Sequence, residues 1–211
     1  MHFTESTIKN LPRVQRLNLI NSITGVKPGN LIGTKSNAGI SNLAIISSVV
    51  HLGSDPPYIG FILRPSKFER RDTYENIIEN SFYTINHIPT NLIEQAHYTS
   101  AKFDKEISEF EQCKFTEEYL SDFPAPFVKE SGLKIGLKHV ESIPISINNT
   151  MMIVGEVLHI YGDSKALSPE GYLDLDLLNS TGIGGLNTYY KLKKIKQFPY
   201  ARVEELPKFS Q

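Results

Sequence analysis

The chain has 211 residues, 40% hydrophobic and 21% charged, with a formal net charge of -1, the profile of an ordinary globular protein with one sizeable core. Near-neutral charge gives no global pull toward nucleic acid or an anionic membrane, so any anion site must be local. One cysteine, Cys113, excludes an intramolecular disulfide and a multi-cysteine metal site, and reads as an ordinary free thiol.

Residues 1–18 read as an N-terminal segment with a short helix around Ile8–Leu19 broken by Pro12. The opening MHFTESTIKNLPRVQRL has no long apolar core and does not read as a signal peptide. No apolar run approaches the ~18 residues of a membrane span. A cytoplasmic location is the expectation.

Asn30–Lys35 reads as a strand and Ser36–Ile40 as a turn, where Asn37 and Gly39 tolerate left-handed backbone. Asn42–Val50 is the next strand, with Leu43, Ile45 and Val49 marking one face. Gly53–Pro57 is a stiff corner, because proline fixes its own φ and holds the preceding residue extended. Tyr58–Leu63 is a third strand, followed by the basic loop Arg64–Arg71. Asp72 is expected to N-cap a helix over Thr73–Asn80, with Glu75 in its first turn. Ser81–Ile88 is a fourth strand, Asn91–Tyr98 a short helix, and Phe103–Phe110 a polar amphipathic helix. Strand signals return over Val128–Val140, Ile145–Ile147 and Met151–Ile160; Tyr172–Leu178 reads as strand or helix, and Thr181–Leu192 is glycine-rich. Short strands at hairpin spacing favour a barrel over a parallel doubly wound sheet, in one mostly β domain over 1–211.

Three features carry chemistry. Ser47 and Ser48 lie in an otherwise apolar strand; adjacent strand residues face opposite ways, so they either bond backbone neighbours or one of them meets a ligand's polar edge. Arg64, Lys67, Arg70 and Arg71 precede a helix start, which is either a solvated charge run or a phosphate cradle. Gly182–Gly185 lacks the GxGxxG spacing and reads as a turn before Tyr189 and Tyr190. The six histidines show no metal spacing, and His97, beside Tyr98, Thr99 and Ser100, is the candidate pocket residue among them. The basic strip KLKKIK reads as a solvated edge, too short to argue nucleic-acid binding. No nucleophile–base pair accompanies these features, which points to cofactor binding rather than protein-borne catalysis.

The ordered elements GT-x(7)-NLA-x-x-SS, then DPP before an apolar strand, then R-x(7)-DT-x-x-NI-x(4)-F-x(3)-N, resemble the flavin reductase-like family with the FMN-binding split barrel, whose members include flavoredoxin-like proteins and NAD(P)H:flavin oxidoreductases. The matching residues are Gly33-Thr34, Asn42-Leu43-Ala44, Ser47-Ser48, Asp55-Pro56-Pro57, Arg64, Asp72-Thr73, Asn76-Ile77, Phe82 and Asn86, with Lys102-Phe103-Asp104 and Gly155-Glu156-Val157 later. The resemblance implies a mainly β, six-stranded antiparallel split barrel with short flanking helices, a homodimer, and FMN near the subunit interface. It implies FMN contacts at Thr34, Asn42, Ala44, Ile46, Ser47, Ser48, Arg64 and Thr73, with Lys102, Phe103 and Tyr189 toward the ring. The hydride chemistry would belong to the flavin, with NAD(P)H as electron donor. Residues 103–138 look like an insertion suited to a lid or a dimer contact, and no nicotinamide-binding motif is visible. The rival expectations are a flavin carrier or sensor, and a split-barrel interaction module without cofactor.

Overall fold

The computed structural model describes residues 1–64 and 71–209. Two short helices, α1 (Glu5–Asn10) and α2 (Arg13–Ser22), flank Pro12. The strands and helices that follow are β1 (Val26–Pro28), β2 (Asn30–Lys35), β3 (Ser41–Ile46), β4 (Val50–Ser54), β5 (Pro57–Leu63), α3 (Asp72–Asn80), β6 (Phe82–His87), α4 (Ile93–Tyr98), α5 (Glu109–Gln112), β7 (Glu117–Glu118), β8 (Phe127–Val128), β9 (Leu133–Ile145), β10 (Thr150–Gly162), β11 (Thr181–Gly184) and β12 (Thr188–Lys191).

The main sheet is antiparallel with order β3-β2-β6-β9-β10-β5-β4. Its two outermost strands, β3 and β4, are neighbours in the chain, joined only by Ser47–Val49. The sheet therefore has to curl until its edges face each other. Among the described residues no ladder joins β3 to β4, so the barrel is split there. The main sheet has seven strands rather than six, because the run Asn42–Val50 is not one strand: the chain leaves the sheet at Ser47 and re-enters at Val50. The turn at Asp55-Pro56, a cis peptide, then sends β5 back along β4 in the register Ser54↔Pro57.

The long β9–β10 hairpin supplies the curvature. Its register skips Val140 on β9 and Leu158 on β10, and each extra residue bends the strand and increases its twist. Period-two alternation sorts neighbouring residues of β2 into two cores. Ile32 faces the barrel interior with Phe61, Tyr83, Ile85, Leu137 and Ile153. Leu31 faces outward, against Leu43, Phe110, Phe115 and Val128, under α4 and α5. A smaller three-stranded sheet, β1-β11-β12, stands beside the barrel.

Four expectations need correction. Arg71, not Asp72, occupies the N-cap of α3 and makes no side-chain cap bond; Asp72 is the first helical residue, where its charge still meets the helix dipole. The helix expected over Phe103–Phe110 is confined to Glu109–Gln112, because Phe110 is drawn into the outer core while Asp104–Ile107 stays outside regular structure. The strand expected over Val128–Val140 is two strands, β8 and β9, parted by the turn at 129–132. Tyr172–Leu178 is neither strand nor helix: Leu173 makes one isolated bridge to Leu167, and the chain then turns.

Candidate flavin site at the barrel seam

The seam is where backbone donors are left over. Ser47, Ser48 and Val49 lie outside strand geometry, and among the described residues their peptide N–H groups donate to no carbonyl. Ser48 uses its side chain for closure: Oγ donates to the Ile62 carbonyl and accepts the Ile62 N–H, both at 3.0 Å. Ser47 has no such duty. It is half-buried, and among the described residues its hydroxyl has no partner. Arg64 follows Ile62 by two residues, so the same corner carries an exposed guanidinium with no ion pair among the described residues. Free peptide donors, a free hydroxyl and a cation form the donor set that a phosphate ester or the polar edge of a flavin requires. On that ground the seam fits FMN. Lys67 and Arg70, which complete the basic loop in the sequence, lie outside the described residues.

Thr34, Asn42 and Thr73 are brought together, but by one another. Thr34 and Asn42 are cross-strand partners in β2 and β3. Asn42 Nδ2 donates to Thr73 Oγ1 at 3.0 Å, and Asn76 Nδ2 donates to Thr34 Oγ1 at 3.1 Å. All four residues are buried. The two amide–hydroxyl bonds clamp the N-terminal half of α3 to the β2–β3 pair, at the opposite end of β3 from Ser47. Ala44 and Ile46 carry β3 toward Ser47 and are half-buried; Ile46 packs against the barrel interior.

The outer core borders β3 on its other face. Phe103 and Tyr189 pack against this core beside Ile45, while Lys102 is exposed. His97 Nδ1 and Tyr189 Oη, ninety-two residues apart in sequence, lie 3.0 Å from each other. Burial raises the Tyr189 phenol above its ordinary pKa, which keeps its proton in place. Phe103 also lines a shallow groove with Tyr98, Gln112 and Lys114. The Gly182–Gly185 stretch is β11 and the start of the turn into Tyr189, with Gly185 at φ 61.

Sequence reasoning left Glu109 and Asn86 off the candidate positions. Glu109 Oε2 accepts the Leu43 N–H at 3.0 Å, covering the open edge of β3. Asn86 donates to the Leu31 carbonyl and accepts the Val128 N–H, at 3.1 and 3.0 Å. A buried asparagine in a β-rich run is a signal for such bridging, and Asn86 stood in the quoted pattern; nothing local marks Glu109. Among the described residues, no group of three or more His, Cys, Asp or Glu is placed to hold a metal ion, and no helix is long and apolar enough to cross a membrane.

Comparison with known proteins bears on the fold and the family. The family described as "Flavin reductase like domain" matches residues 26–181. A proposed flavin reductase with a split barrel domain from Shewanella frigidimarina NCIMB 400 superposes with a TM-score of 0.91 at 47% identity, over 95% of this chain and 100% of that one. The nitrilotriacetate monooxygenase component B of Bacillus cereus shares the fold at a TM-score of 0.81 and 18% identity, over 94% and 98% of the two chains. The 2-nitrobenzoate 2-nitroreductase NbaA of Pseudomonas fluorescens shares it at 0.80 and 22%, over 99% of each. The chain belongs to the flavin reductase-like family, as an oxidoreductase built on a split barrel.

Proposed function

We propose that this chain is a homodimeric, cytoplasmic flavin reductase-type enzyme that binds FMN at the barrel seam and draws electrons from NAD(P)H. The observation that carries the reading is the donor-only corner: among the described residues, peptide N–H groups over Ser47–Val49 with no carbonyl partner, the unpartnered Ser47 hydroxyl and exposed Arg64. When bound, the flavin supplies the hydride-accepting ring. The chain's own residues bind and orient it. Ser47, the peptide of Ser48 and Arg64 take its anionic and polar edges, Ala44 and Ile46 give an apolar wall, and Thr34, Asn42 and Thr73 hold α3 at the phosphate end. Lys102, Phe103 and Tyr189 face the ring side, where the His97–Tyr189 pair keeps a proton at Oη. Residues 103–138 act in part as a cover for the β3 edge through Glu109.

The test is the absorbance spectrum of the purified protein, followed by anaerobic mixing with NADH or NADPH. A yellow protein whose flavin bleaches with one of the two donors is the expected result. A protein that fails to bind added FMN would sink the reading, and one whose bound flavin stays oxidised would be a carrier. Arg64→Ala should weaken FMN binding much more than riboflavin binding.

A further inference from the structure

Beyond β12 the chain runs from Leu192 to Phe209 as an extended arm whose only regular element is a single turn at Val203–Glu205. Six large apolar side chains lie along it: Ile195, Phe198, Tyr200, Val203, Leu206 and Phe209, each at least 68% exposed. Among the described residues, its ion pairs and ring contacts to the rest of the chain end near its root, where Lys194 pairs with Asp174 at 3.4 Å. Farther out, Lys196 lies over the Phe198 ring and Arg202 pairs with Glu205, both within the arm.

At the other end of the sequence, α2 is in the converse position. It is ten residues long and buries none of them, while Val14, Leu17 and Ile20 stand exposed at three-residue steps along it and exposed Ile23 follows as its C-cap. A helix shorter than about 12–15 residues is marginal in water without tertiary cover. Both elements sit at the same small sheet. Lys27 of β1 ties the end of α2 to the β11–β12 turn, with Nζ donating to the carbonyls of Asn21 and Gly185 at 2.8 and 3.2 Å. The arm leaves from β12 of that sheet.

We propose that the arm is an inter-subunit clasp: Phe198 and Tyr200 of one copy cover the Val14–Leu17–Ile20 face of α2 on a second copy, and the exchange is reciprocal. This rests on the homodimer reading above. Two magnitudes favour a second copy as the occupant. Phe198 and Tyr200 lie seven and nine residues beyond Lys191, the end of β12, so extended chain carries them up to ~23–32 Å out, against a radius of gyration of about 17 Å for a chain of this length. Aromatic side chains bury roughly 150–250 Å² each, so Phe198, Tyr200 and Phe209 supply roughly 450–750 Å² of the ~800 Å² per partner of a standard interface. In a two-fold assembly each copy donates an arm and receives one, which makes the contact self-complementary.

Sedimentation equilibrium of the full chain and of F198D/Y200D tests the clasp. Neither residue packs on its own subunit's core, so the variant keeps its circular dichroism, and its dimer dissociation constant should rise by about 100-fold or more. An unchanged constant overturns the clasp and leaves the homodimer standing. A wild-type chain that is monomeric at micromolar concentration overturns both. Geometry is checked by mixing I20C chains with F198C chains, Cys113 being buried. A disulfide-linked pair of unlike chains is expected. No such pair, or an I20C/F198C double variant that links only within one chain, overturns the proposal.

Discussion

The Ser48 hydroxyl does the work of a peptide group, donating to the Ile62 carbonyl and accepting the Ile62 N–H at 3.0 Å each. One side chain thereby holds the end of β5 at the seam where β3 and β4 fail to pair. Ser48→Ala strands both backbone groups of Ile62. It should cost about 2 kcal/mol and lower Tm by roughly 4–8 °C. Ser47→Ala, one residue away, removes a hydroxyl with no partner among the described residues; it should leave Tm within about 1–2 °C and weaken FMN binding roughly tenfold. Thermal melts and flavin titrations of the two variants check this opposition. If both behave alike, the seam is not divided into a structural and a ligand-facing serine.

Inside the barrel, the Tyr83 hydroxyl is buried with no hydrogen-bond partner among the described residues, and it would lie 2.1 Å from a Cβ on Gly155. Burial pushes this phenol far above its ordinary pKa, so it stays protonated at any working pH. Gly155→Ala should therefore cost about 2–3 kcal/mol by overpacking. Tyr83→Phe, which removes an unsatisfied group, should be neutral or stabilising by up to about 1 kcal/mol. The double variant should recover part of the alanine's cost but not all of it, because ring carbons remain at 2.8 and 3.1 Å. Denaturant unfolding of the three variants measures the coupling. Strict additivity would contradict the contact.

Most of the barrel was legible because its strands are short β-branched or aromatic runs bounded by turn residues. Asn30–Lys35 matches β2, and the Asp-Pro-Pro corner falls where β4 turns into β5. Local pattern failed where long-range contact decides the structure. Phe110, Cys113 and Phe115 sit in a polar stretch with no sustained period, yet they fill the outer core against Leu31 and Leu43. The polar clamp on α3 joins residues 31 and 42 positions apart, so sequence could bring Thr34, Asn42 and Thr73 to one region without revealing that their groups are spent on one another. In a strand, Ser47 and Ser48 face opposite ways, but the sequence does not say which of them meets a ligand. The break over Ser47–Val49 takes both out of the strand, and the bonds of Ser48 to Ile62 separate their roles.

Glu109 covers the open edge of β3, accepting the buried Leu43 N–H at 3.0 Å. An edge strand with an exposed ladder invites pairing with another chain, and here a carboxylate occupies the position. Glu109→Ala leaves that donor buried and unpaired and should cost about 2–3 kcal/mol, with faster aggregation on heating. Glu109→Gln keeps an acceptor oxygen and should cost less than half as much. Burial, and then the nearby Glu109 charge, raises the pKa of Cys113. The native thiol should resist disulfide reagents at pH 8 and react once the chain unfolds. Light scattering and thiol titration follow the two effects.

The strongest pH dependence should come from His87. Burial lowers its pKa from 6.5 to about 4, and its Nδ1 lies 2.9 Å from Ser180 Oγ. Between those two values the unfolded chain binds a proton that the folded chain does not. Stability is therefore fully present above pH 6.5 and is lost as pH falls toward 4. The full swing is up to about 3 kcal/mol, reduced to the extent that the ring, which keeps some exposed surface, retains water. His87→Gln removes the titrating group while keeping a side chain able to reach Ser180. Its Tm should fall less than that of the parent between pH 7 and pH 4.5, by several degrees. Parallel melts at the two pH values decide the matter: if parent and variant lose the same stability, the acid sensitivity arises from other groups.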